Sequence, residues 1–132
     1  MAFDSPPPIE LLWSQGDTLV TWTYGPGKIM KRYPAPPHTV TAWSDPPSII
    51  VVEAHTGPDP RTDNAAVLNP DGTERLRLHP PHVATQPYWH IGFYQVYTDP
   101  TGLVAVFTTR VGDFWGRPNL QTGELTDIAA WR

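Results

Sequence analysis

At 132 residues the chain is long enough to bury a core as one domain. Nine Lys and Arg against thirteen Asp and Glu leave a formal charge of −4. That is the wrong sign for a surface that binds by neutralising phosphates, so nucleic acid is not an expected partner. Cysteine is absent, which removes disulfides, thiolate metal sites and cysteine nucleophiles together.

Seventeen prolines spread along the chain leave few windows for a helix; only the stretches near Ile9 to Trp13 and His82 to His90 could hold a short one. Six Trp, five Tyr and four Phe nevertheless supply enough large apolar side chains for a packed protein. No basic segment followed by an apolar run opens the sequence, and no apolar run approaches membrane-spanning length. The expectation is an all-β, cytoplasmic protein with little helix and no membrane partner.

Residues 1–8, with consecutive Pro6, Pro7 and Pro8, read as an extended arm. Ile9 to Trp13 and Thr18 to Tyr24 form the first predicted strand pair, and Gly25-Pro26-Gly27 turns the chain into Lys28 to Tyr33. Tyr33-Pro34-Ala35-Pro36-Pro37 then breaks the ladder, closing a shortened meander over residues 9–33.

A full four-stranded meander is predicted over residues 38–78. In His38 to Trp43, Val40 and Ala42 face one side while Thr39, Thr41 and Trp43 face the other. Ile49-Ile50-Val51-Val52 does not alternate, which predicts a central strand covered on both faces. Asn64 to Leu68 and Glu74 to Leu78 make the next hairpin, with Arg75 and Arg77 expected on its wet face. Residues 79–91 form a connector without a strand pattern. Gly92 to Thr98, Leu103 to Arg110, Asp113 to Asn119 and Leu125 to Trp131 then build a second full meander over residues 92–131, for about eleven strands in all. The terminal Trp131 is expected to dock, because exposing it would waste apolar area.

The two full meanders share their punctuation. Trp43-Ser44-Asp45-Pro46 and Tyr97-Thr98-Asp99-Pro100 each precede an apolar run. The ring of Pro fixes φ while the Asp side chain bonds the backbone two residues on. Asn69-Pro70-Asp71-Gly72 and Leu120-Gln121-Thr122-Gly123 each place Gly where the turn needs a left-handed residue. Four strands in about 40–50 residues, with these turns, resemble the blades of β-propellers. No Gly-His or Trp-Asp signature ties the chain to a named propeller family. The resemblance implies sheets stacked on one another. Closure of a ring takes at least four blades, so the sheets must pack as a sandwich or barrel, or a second copy must complete them.

Motifs for chemistry are scarce. His79, His82 and His90 in the connector are the candidate metal ligands, but no His-x-His or His-Glu-x-x-His spacing supports them, and no cofactor is expected. Ser5, Ser14, Ser44 and Ser48 lie in no Gly-x-Ser-x-Gly elbow. Gly25-Pro26-Gly27-Lys28 lacks the phosphate-loop spacing, and Pro26 removes an amide donor. Glu53, Asp63, Asp113 and Glu124 could supply a carboxylate pair, as in any β protein. The binding candidates are Tyr88, Trp89 and His90 in the connector, with Trp115 and Arg117 in the last meander, because Trp, Tyr and Arg dominate interface hot spots.

Three functions remain as expectations. The first is a non-enzymatic protein-binding or inhibitory module, of the acidic kind with which bacteria neutralise toxins; its partner would be basic, or a second copy in a homodimer. The second is a small-ligand or metal-binding domain that uses the connector, and the third an enzyme with a dispersed His or carboxylate site.

Overall fold

The computed structural model describes residues 8–54, 62–83, 86 and 89–131. Those residues form eleven strands and no helix, in chain order β1 (Ile9–Leu12), β2 (Leu19–Tyr24), β3 (Gly27–Arg32), β4 (Thr39–Ser44), β5 (Pro47–Val52), β6 (Ala65–Leu68), β7 (Glu74–Arg77), β8 (His90–Asp99), β9 (Gly102–Thr109), β10 (Gly112–Pro118) and β11 (Leu125–Ala130). The first window considered for a helix is therefore β1. Tyr88 and the predicted Pro-rich arm up to Pro7 lie outside the described residues.

Every pairing is antiparallel and between sequence neighbours. Sheet 1 has the order β1-β2-β3, sheet 2 β4-β5-β6-β7 and sheet 3 β8-β9-β10-β11, each a simple meander. None closes into a barrel, so stacked sheets are the architecture. β8 begins at His90, two residues before the predicted start, because His90 pairs with Thr109 ahead of a bulge at Ile91.

Sheet 2 is the middle layer. Alternate residues of β5 prove it: Ile49 and Val51 pack with Val20, Trp22, Val40, Ala66 and Leu68 against sheet 1. Ile50 and Val52 pack with Ala65, Val67, Phe93, Val96, Ala105 and Phe107 against sheet 3. All four β5 side chains are fully buried, as continuous apolarity predicts for a strand covered twice. Trp43 and Val40 face opposite sheets, again as alternation requires.

The outer face of sheet 3 is closed by its own aromatics. Val104 and Val106 are buried there although no further sheet of the described residues covers them. Trp115 stands opposite Val106, and Tyr97 opposite Val104. Trp131 reaches across to donate its indole N–H to the Tyr97 hydroxyl at 3.3 Å. The last tryptophan is docked, as its apolar area demands.

The two left-handed glycine turns hold the ends of the hairpins. Gly72 has φ +93°, and its amide donates to Asn69 O. Gly123 has φ +83°, and its amide donates to Asn119 O. The Asp-Pro turns differ from one another. Asp99 Oδ1 accepts from the amides of Thr101 and Gly102, whereas the Asp45-Pro46 turn is held by Trp43 Nε1 on Asp45 O and by the buried Ser48 hydroxyl on Pro46 O.

Arg75 and Arg77 are half-buried, which corrects their assignment to a wet face. Leu76, between them, packs toward sheet 3, so both arginines point to the side of sheet 1. Sheet 1 has three strands against four in sheet 2. β7 therefore lacks a full apolar cover, and the arginines fill the step with their stems while bonding nearby carbonyls and carboxylates.

Candidate functional site

Three places collect the chemistry-bearing residues, and the binding candidates Trp89, His90, Trp115 and Arg117 fall into two of them.

The first is the end of sheet 3 where β8 starts. Trp89 stands in the turn just ahead of β8, its amide donating to Gln86 O, while its own carbonyl accepts the amide of Arg110 and ties that turn to sheet 3. His90 packs its ring 5.6 Å from that of Phe107 and 6.3 Å from that of His82. His79 is elsewhere. Its Nδ1 lies 3.0 Å from Glu124 Oε1, and its backbone amide donates to Gly123 O. The three connector histidines thus do not converge, and among the described residues no group of three His, Asp or Glu side chains could hold a metal ion. Burial lowers the pKa of His38, whose ring stands 5.7 Å from Tyr94. Ile91, Tyr94 and Val111 are all exposed toward this end.

The second place is the outer face of sheet 3. Arg117 lies over the Trp115 ring at 5.2 Å and grips Asp99 with two bonds of 2.9 Å, while also donating to Leu103 O. The guanidinium holds the Asp99 carboxyl far below the usual carboxylate range, and the carboxylate raises Arg117 in turn. This forked pair ties the β8–β9 turn to β10. Trp115 and Arg117 therefore sit on a strand face, toward the opposite end of β10 from its Gly112 end, beside which Trp89 and His90 stand.

Two of the candidate carboxylates are committed to basic side chains. Glu53 bonds Arg77 at 2.7 Å, and Glu74 joins the same guanidinium at 3.0 Å. The bond to Glu53 raises the pKa of Arg77, and burial beside this cluster, reinforced by Glu53, pushes the Tyr33 phenol up to about 12. Arg77 also takes the Asp63 carbonyl, while Glu124 turns to His79. Glu53 and the backbone of Asp63 thus meet at the Arg77 guanidinium, whereas Glu124 lies apart beside His79.

The third place went unrecognised in the sequence. Where the β2–β3 turn meets the β4–β5 and β6–β7 turns, a cleft of about 500 Å³ opens between sheets 1 and 2. Its walls are Tyr24, Gly27, Ile29, Pro47 and Pro70, and its polar groups are Asn69, Asp71 and Arg75. Trp22 Nε1 donates to Pro70 O at 2.8 Å, and Lys31 Nζ to Gly72 O at 3.0 Å, so side chains of sheet 1 clamp the turn that forms one wall. Lys31 thereby faces sheet 2, while Lys28, Met30 and Arg32 alternate onto the outer face, so the three cations of β3 are split between two faces.

No protein-family model, curated protein or solved structure matches this chain.

Proposed function

We propose that the protein is a non-enzymatic protein-binding module whose contact surface is the β8 end of sheet 3. The observation that carries this reading is the exposure of Ile91, Tyr94 and Val111, at 36%, 51% and 56%, on or beside paired strands. Ile91 and Tyr94 are the unpaired residues at the two bulges of β8, and Val111 is in the β9–β10 turn, so all three project from the ladder, beside Trp89, a residue type that anchors interfaces. The engagement of Glu53 with Arg77 and of Glu124 with His79 supports binding over catalysis. The net charge of −4 favours a basic partner through long-range attraction.

Parallel pull-downs from the native host test the reading, with wild type and the Ile91→Asp/Val111→Asp variant as baits. A protein captured by wild type and lost with the variant, at unchanged melting temperature, is the expected result. Identical captures from both baits would refute it. Trp89→Ala is expected to weaken the same interaction more than it lowers stability.

A further inference from the structure

The cleft between sheets 1 and 2 carries a second inference, independent of the surface just described. Three arginines among the described residues are half-buried, and two of them have carboxylates: Arg77 has Glu53 and Glu74, and Arg117 has Asp99. Arg75 has none among the described residues. Its Nε donates to Asn69 Oδ1 at 2.8 Å, its Nη1 to the Ser48 hydroxyl at 2.9 Å and its Nη2 to Pro47 O at 2.9 Å. All three acceptors are neutral. A guanidinium has five N–H donors, so two remain beyond those bonds. A half-buried cation is ordinarily matched by an anion, and here the protein supplies orientation without the counter-charge.

We infer that this cleft binds a small carboxylic acid with a flat apolar body, its carboxylate on Arg75 and its body against Tyr24, Ile29, Pro47 and Pro70. The dimensions suit it, since about 500 Å³ lies in the range of small-molecule sites. The chemistry suits it too: apolar walls and a guanidinium fixed in place by three bonds are how such sites orient an anionic ligand. The one carboxylate on the rim, Asp71, is fully exposed and already accepts from the Thr73 amide and hydroxyl. Its repulsion of an incoming anion is therefore screened by water.

The test is a nitrogen-15 NMR titration of the full chain with 3-phenylpropionate and, separately, with its neutral amide. The acid is expected to shift the amides of Tyr24, Gly27, Ile29, Asn69 and Asp71, and the amide analogue to bind at least about tenfold more weakly. Arg75→Met should abolish that discrimination. Because Arg75 also holds two turns and this variant can lose the fold, Tyr24→Asp provides the second probe. It sets a like charge in the cleft wall and should remove binding of the acid from a folded protein. No shift at about 10 mM ligand, equal response to acid and amide, or shifts confined to other residues would each overturn the assignment. A short peptide ending in a free phenylalanine carboxylate serves as a further arm. Tighter binding of that peptide than of the free acid would replace the small molecule by a chain terminus.

Discussion

Trp22 on β2 donates its indole N–H to Pro70 O across 2.8 Å, so the largest fully buried side chain of the protein also clamps the β6–β7 turn. One residue thereby joins the core between sheets 1 and 2 to the wall of the Arg75 cleft. Two substitutions separate its roles. Trp22→Phe keeps most of the bulk and leaves Pro70 O without its donor, at a cost of about 1 kcal/mol. Trp22→Ala opens a cavity as well and should cost roughly 3–5 kcal/mol. Urea unfolding midpoints measure both, and an equal loss from the two would show that the hydrogen bond, not the packing, dominates.

Asn64 should be among the most sensitive polar positions. It is 3% exposed, and its side chain donates to Glu53 O and Phe93 O while accepting the Phe93 amide at 2.7 Å. It thus ties the end of β5 to the edge strand of sheet 3. Asn64→Ala strands the buried amide and carbonyl of Phe93 and the part-buried carbonyl of Glu53, and is expected to cost about 3 kcal/mol. Calorimetric melting checks it, together with faster hydrogen exchange at Phe93.

Gly123 and Gly16 both have positive φ, at +83° and +99°, but their surroundings differ. A Cβ at Gly123 would lie 2.8 Å from Arg77 O and 3.2 Å from the His79 ring, whereas a Cβ at Gly16 would meet nothing within 4 Å. Gly16→Ala should cost about 1 kcal/mol, from backbone strain alone. Gly123→Ala adds a clash with backbone and should exceed roughly 2 kcal/mol. Denaturant midpoints of the two variants measure the difference.

Stability should fall steeply above pH 10, and Tyr33 is the residue to watch. Burial raises its phenol from 10 to about 12 in the folded protein. Between those values the unfolded chain releases a proton that the folded chain retains. The contribution of Tyr33 is therefore fully present below pH 10 and lost as pH rises through about 12. Tyr33→Phe should flatten this alkaline decline, with the reference measured at pH 8. An unchanged slope in the variant would transfer the effect to another group.

Punctuation and alternation alone were enough to read the strands. Gly and Pro constrain φ wherever they stand, and side chains alternate along any strand, so both signals are local and survive without knowledge of the partner strand. That is why the division into 9–33, 38–78 and 92–131 corresponds to sheets 1, 2 and 3, and why Ile49 to Val52 could be placed between two layers before any contact was known. The docking of Trp131 followed from its size.

The stacking order and the sites were decided only by tertiary structure. Arg75, Arg77 and Arg117 look alike in sequence, and each becomes paired or unpaired according to which turn the fold brings beside it. The cleft exists because a three-stranded sheet lies on a four-stranded one, and its lining comes from turns more than forty residues apart, as Tyr24 and Asn69 show. The connector histidines part for the same reason, since His79 follows the Gly123 turn while His90 enters β8. Local patterns constrain one strand at a time, whereas a site depends on distances between strands that no local pattern contains.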